Sequence, residues 1–104
     1  MEDGKITIKY LQEYLKSKDY HPEQVKDYFL YLSEEIGELA RAIHKNLRPT
    51  ANNEIKETIE EELWDVLYYI LAIANCYNIN MEEIISKKEA INNLKYHDPI
   101  KFRY

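Results

Sequence analysis

Glu35-x-x-Glu38 and Glu62-x-x-Asp65 are two acidic pairs of identical spacing. Residues three apart on a helix share a face, so each pair presents two carboxylates side by side. Four carboxylates brought together repel one another. They are tolerated most easily around a hard cation that prefers oxygen ligands, Mg²⁺ first, with Mn²⁺ as the alternative. Whether the pairs meet in space decides between an enzyme and an acidic helical module whose charged flank binds a basic partner.

The elements that would carry them can be read along the chain. The spacing predicts a first helix over about 7–18, with Ile8, Leu11 and Leu15 on one side and Thr7 as cap. A turn with Asp19, His21 and Pro22 follows. A second helix then starts near Pro22, which suits a first-turn position, and runs to about Lys45. Its apolar set, Val25, Phe29, Leu32, Ile36, Leu39 and Ile43, alternates spacings of four and three. The polar connection 46–52 contains Pro49, which is expected to end that helix.

A third helix is expected from Asn53 or from Thr58, where Thr58-x-x-Glu61 resembles a capping box, to about Asn78. Its apolar set is Ile59, Leu63, Val66, Ile70, Ile73 and Tyr77. The last helix has Asn80 as cap and continues to about Tyr96. The tail from His97 to Tyr104 is expected to be extended or loosely packed. Two glycines and three prolines leave few breakers, which agrees with an all-α fold.

Heptad letters test convergence. With Phe29, Ile36 and Ile43 at a and Val25, Leu32 and Leu39 at d, Glu35 is g and Glu38 is c. With Leu63, Ile70 and Tyr77 at a and Ile59, Val66 and Ile73 at d, Glu62 is g and Asp65 is c. The short connection predicts an antiparallel hairpin, and seams facing through a and d put g against g on one flank. Turning near Thr50, the hairpin sets Glu35 level with Asp65, Glu38 level with Glu62, and Tyr31 level with Tyr69. Four acids are therefore expected in one cluster, with Tyr28, Tyr31 and Tyr69 on the same flank. Those rings could stack a planar base beside the metal, or pack on a neighbouring subunit.

The segments Leu32-Ser33-Glu34-Glu35-Ile36-Gly37-Glu38-Leu39 and Glu61-Glu62-Leu63-Trp64-Asp65-Val66-Leu67 resemble the all-α nucleoside triphosphate pyrophosphohydrolases of the MazG type. The ending Lys88-x-x-x-Asn92-x-x-Lys95-Tyr96 resembles that family's C-terminal basic segment. The likeness covers roughly residues 8–96. It implies a four-helix bundle with a central antiparallel hairpin, completed by dimerisation or tetramerisation. It implies hydrolysis of a nucleoside triphosphate between the α and β phosphates, in the service of clearing non-standard or surplus nucleotides.

Carried over by position, Glu35, Glu38, Glu62 and Asp65 would be the Mg²⁺ ligands, with Glu38 or Glu35 as general base. Lys88, Asn92 and Lys95 would contact phosphates, across a subunit interface in some arrangements, and Tyr69 would contact the base. The phosphoribosyl-ATP pyrophosphohydrolases, which also carry paired acidic motifs, are the related alternative.

Composition narrows the rest. With 104 residues, 45% of them apolar, the chain suits one domain over 1–104 with a real core. A formal charge of −5 argues against nucleic acid as partner. No apolar run is long enough for a membrane span, and the acidic N-terminus is unlike a signal peptide. A single cysteine, Cys76, cannot form an internal disulfide, so a reducing, cytoplasmic setting is expected. His21, His44 and His97 lack metal-ligand spacing to one another. Trp64 and Tyr68 are expected on exposed surface suited to another subunit.

Overall fold

The computed structural model describes residues 4–52, 54–96 and 99–103, and the described secondary structure is entirely helical. Helix α1 spans Ile8–Lys18, α2 Val25–His44, α3 Ile59–Cys76 and α4 Met81–Lys95, with a 3-10 turn at Pro22–Gln24 before α2. The anticipated start at Pro22 is thus a separate tight turn, and the α-helix proper begins three residues later. Asn53, one of the two anticipated starts of α3, lies outside the described residues, as do His97 and Asp98.

Caps set most boundaries. The Thr7 hydroxyl accepts the Tyr10 N–H and Asn80 Oδ1 accepts the Glu83 N–H, which fixes the starts of α1 and α4. Thr58 caps α3, but the capping box closes differently from its usual form: Glu61 Oε1 accepts the N–H of Glu57, one residue before the cap. Asn46, not Pro49, ends α2. It adopts φ 52°, and the Leu47 N–H returns to Ala42 O while the Asn46 N–H returns to Ile43 O. Asn78, at φ 55°, repeats this at the end of α3, with Ile79 N–H on Ala74 O. Both are Schellman endings with asparagine in the left-handed position.

Helices α2 and α3 form the central antiparallel hairpin, its ends tied by the Ile59 N–H donating to Leu47 O at 2.9 Å. The seam is rotated from the a/d expectation. On α2 the inward residues are Val25, Tyr28, Leu32, Glu35, Leu39 and Ala42, the d and g positions. All six a residues are exposed, from Ile70 at 40% to Tyr77 at 63%. The inward face lies about 60° round the wheel from the apolar centre. Part of the reason is α1, which packs on the other side of α3. Leu15 and Leu71 are fully buried there, so α3 must turn apolar residues toward two neighbours.

A buried amide pair joins α1 to the α3–α4 corner. Gln12 Nε2 donates to Asn75 Oδ1 at 3.0 Å and to Ile79 O at 2.8 Å, while Gln12 Oε1 accepts the Met81 N–H at 3.0 Å. Asn75 Nδ2 returns a bond to Gln12 O. Truncating Gln12 leaves those partners unsatisfied in the interior, so Gln12→Ala is expected to lower unfolding free energy by about 2–3 kcal/mol, measured by urea denaturation. The tail is less loose than anticipated: Asn93 pairs reciprocally with the Phe102 main chain, and Lys101 Nζ donates to Asn93 O and Tyr96 O.

Candidate metal and nucleotide site

The rotated seam places the acids between α2 and α3 rather than on an outer flank. Glu35, Glu62 and Asp65 each offer one carboxylate oxygen, and these three lie within 4.8 Å of one another. Glu62 is 6% exposed, Glu35 and Asp65 are half-buried, and Glu38 is exposed. Glu38 stands outside the three-oxygen group, yet close enough for its charge to act on Glu62. The four therefore share one neighbourhood, with Glu38 at its solvent side.

Electrostatics mark the cluster as incomplete. Burial, the hydrogen bond with Glu35 and the charges of Glu35, Asp65 and Glu38 push the Glu62 carboxyl up to about 7. Burial and the charges of Glu35 and Glu61 likewise raise Asp65. Glu62 Oε2 is buried without a hydrogen-bond partner among the described residues. A buried carboxylate oxygen with no donor, beside two more acids, is a costly arrangement for the protein alone. It suits an all-oxygen ligand set for a hard divalent cation.

The tyrosines stand as the level rule anticipated. Tyr31 and Tyr69 have ring centroids 5.7 Å apart, and Tyr28 lies 6.3 Å from Tyr69. Burial, followed by the charges of Glu35 and Asp19, raises Tyr69, which places its hydroxyl in the field of the acids. Tyr68 departs from its expected exposure: it is half-buried, and its hydroxyl donates to Asp19 Oδ2 at 2.8 Å. Trp64 remains exposed, edge-on to Tyr68. Asp19 had no sequence signature beyond a turn residue. Its role in holding Tyr28 and Tyr68 follows only from the packing of α1.

The basic segment sits on α4, which packs against α1. Among the described residues, no hydrogen bond or ion pair joins Lys88, Asn92 or Lys95 to the acidic cluster. Asn92 Nδ2 donates to Glu89 Oε1, and Lys95 Nζ lies over the Tyr96 ring. Arg48 is ion-paired with Glu60. Arg41 makes no ion pair among the described residues. Burial and the charges of Glu23 and Asp19 raise the Cys76 thiol, the opposite of an activated nucleophile.

Comparison with known proteins converges on one family. The profile of the MazG nucleotide pyrophosphohydrolase domain matches residues 23–94. Crystal structures of iMazG from Vibrio DAT 722 superpose closely. The Ntag form gives a TM-score of 0.80 at 41% identity, covering 89% of this chain and 100% of that one. The Ctag form gives 0.78 at 41% identity, covering 85% and 99%. The uncharacterized protein YpjD of Bacillus subtilis (strain 168) is 39% identical over 54 residues, half of this chain and 49% of YpjD, so the match spans about half of that relative's length. With more than two-thirds of its length matched, and the acidic pairs inside the matched region, the chain belongs to the MazG nucleotide pyrophosphohydrolase family.

Proposed function

We propose that this chain hydrolyses a nucleoside triphosphate between the α and β phosphates, giving a nucleoside monophosphate and pyrophosphate, with Mg²⁺ as its cation. The observation that carries this reading is the convergence of Glu35, Glu62 and Asp65 within 4.8 Å around a buried, unpartnered Glu62 oxygen. Family membership supplies the reaction class. Surplus or non-standard nucleotides are the substrate class it favours.

Glu35, Glu62 and Asp65 would hold the cation, with Glu38 completing the set from the solvent side. A bound Mg²⁺ supplies neutralisation of the triphosphate oxygens and lowers the pKa of bound water. The chain's own residues do the rest. Phosphoryl chemistry depends mainly on positioning and charge compensation. Glu38, exposed and outside the three-oxygen group, is the ligand least engaged by the cation and keeps an oxygen that would take a proton from an attacking water, with Glu35 as the alternative base. Tyr31 and Tyr69 offer a surface on which a base can stack. Lys88, Asn92 and Lys95 would neutralise the departing pyrophosphate. Their place on α4, away from the hairpin seam, fits delivery from a second copy.

That second copy has a surface to bind. Phe29, Ile36, Ile43, Leu63, Ile70 and Tyr77 are all exposed on the hairpin's outer face. A mainly apolar groove of about 470 Å³, bounded by Val25, Lys26, Phe29, Leu30, Ile73 and Tyr77, continues it. Exposed apolar faces of this extent mark interfaces, and a two-fold pairing of identical faces is the commonest closure. The homodimer or homotetramer reading therefore assigns this face to the partner. Among the described residues no helix is long and apolar enough to cross a membrane.

Cation binding should depend on pH in a defined direction. In the cation-free protein Glu62 holds its proton up to about pH 7, and a cation must displace it. Below that pH, affinity is expected to fall about tenfold per pH unit, so Mg²⁺ or Mn²⁺ should bind about tenfold more weakly at pH 6 than at pH 8. Calorimetric titration checks this, and a pH-independent affinity would contradict Glu62 as a ligand. The function itself is tested by incubating purified protein and Mg²⁺ with standard and modified nucleoside triphosphates, and with phosphoribosyl-ATP. Pyrophosphate release from the former supports the reading; activity confined to the latter favours the related family.

A further inference from the structure

Asp19 lies in the turn that follows α1, and two tyrosine hydroxyls from two other helices end on its carboxylate. Tyr28 of α2 donates to Asp19 Oδ1 at 2.7 Å, and Tyr68 of α3 donates to Oδ2 at 2.8 Å. Tyr28 is 3% exposed and Tyr68 is half-buried, so both bonds are at least partly shielded from water. Burial alone would raise the Asp19 carboxyl, but the two tyrosine donors, with the charges of His21 and Lys18, hold it below its ordinary value. It is thus a fixed anion to which both rings are tied.

Those two rings define the setting of a third. Tyr68 meets Tyr69 edge-on with centroids 5.0 Å apart, and Tyr28 lies tilted at 6.3 Å from the same ring. Tyr69 is therefore bounded on two sides by rings that Asp19 holds. Its remaining aromatic neighbour is Tyr31, which is exposed and tilted by 48°. Of the four rings Tyr31 is the most exposed, and Tyr69 beside it feels the charges of Glu35 and Asp65. Aromatic stacking depends on ring tilt and offset, so whatever fixes Tyr69 fixes the quality of a stack formed there.

We propose that Asp19 is a positioning residue for the nucleoside end of the substrate: by anchoring Tyr28 and Tyr68 it fixes Tyr69 as the surface against which a nucleobase stacks. This rests on the reading above that the base lies beside Tyr31 and Tyr69. It separates the two ends of the substrate, because Asp19 acts on the base and not on the phosphates. Releasing the anchor should weaken recognition of a nucleotide and leave recognition of an inorganic polyphosphate intact.

The test uses the full chain with Mg²⁺ and two probes, the nucleoside triphosphate that the wild type hydrolyses fastest and inorganic tripolyphosphate as a competitive inhibitor. Asp19→Asn is expected to raise KM for the nucleotide about fivefold, with kcat and the inhibition constant for tripolyphosphate each unchanged within about twofold. Tyr68→Phe, which removes one hydroxyl and keeps the ring, is expected to move KM the same way by a smaller factor, and it keeps the proposal testable if Asp19→Asn does not fold. A merely structural role would shift both probes together, or kcat along with thermal stability. An unchanged KM, or a parallel loss for both probes, overturns the proposal. A wild type that hydrolyses no nucleotide overturns it as well, and is told apart because the proposed function then fails before any variant is made.

Discussion

Glu62→Gln is expected to abolish hydrolysis and, in cation-free protein, to raise stability. Both effects come from the same carboxylate. Glu62 is the most buried of the four acids, with one oxygen lacking a partner and Glu35 and Asp65 beside it. Its folded value near 7 lies above the ordinary glutamate value of 4.5. The sign follows from linkage: a raised acid favours the folded state below the unfolded value, and that advantage is lost as pH rises through the folded one.

At pH 8 the ionised group therefore destabilises the fold, by up to about 3 kcal/mol for such a shift. Glutamine cannot ionise, so Glu62→Gln should gain about 1–3 kcal/mol at pH 8 and close to nothing at pH 4. Saturating Mg²⁺ should stabilise the wild type and not the variant. Since altering even an outer partner of a metal ligand commonly costs 10–100-fold, loss of a direct ligand should lower kcat/KM by at least about a hundredfold. Denaturation at both pH values, with and without Mg²⁺, checks the stability half. A variant less stable than wild type at pH 8 would contradict the crowded-anion description.

Ile36→Glu is expected to dissociate the assembly and remove activity with it. Ile36 is 51% exposed in the single chain and lies at the centre of the unpaired a face, so the change disturbs little inside the hairpin. In a two-fold dimer it occurs twice. Each copy loses about 2 kcal/mol of apolar burial, and a charge left in the interface adds to this. Together they weaken association by roughly a thousandfold or more. Light scattering after size exclusion should show the wild type as a dimer or larger and the variant as a monomer with a native helical spectrum. Because Lys88, Asn92 and Lys95 are assigned to the partner's phosphates, the monomer should bind nucleotide poorly. An unchanged mass for Ile36→Glu would place the interface elsewhere.

Much of this was legible in the sequence, and the exceptions have physical causes. The helix count, the Thr7, Thr58 and Asn80 caps and the antiparallel hairpin all follow from local rules of spacing and capping. So does the pairing of Tyr31 with Tyr69, which needs only the turn position and the helical rise. The carboxylate cluster was legible for the same reason: matching rotation and height survive a rigid rotation of both helices.

What the heptad letters missed was that rotation. The most apolar stripe of α2 and α3 faces outward, where the proposed second copy would cover it. A seam read from hydrophobicity alone is then assigned to the wrong neighbour. The end of α2 near Lys45 was legible, but not its cause: Asn46 closes the helix before Pro49 is reached. Asp19 was invisible because its partners, Tyr28 and Tyr68, are nine and 49 residues away, and only the docking of α1 brings them together.

The most direct measurement is product analysis in ¹⁸O-labelled water, with wild-type protein, Mg²⁺ and the fastest substrate of the nucleotide panel. The expected result is equimolar nucleoside monophosphate and pyrophosphate, with the label in the monophosphate, as attack of water on the α-phosphorus with pyrophosphate leaving requires. Nucleoside diphosphate with inorganic phosphate, label in the pyrophosphate, or no release from any nucleotide would contradict it.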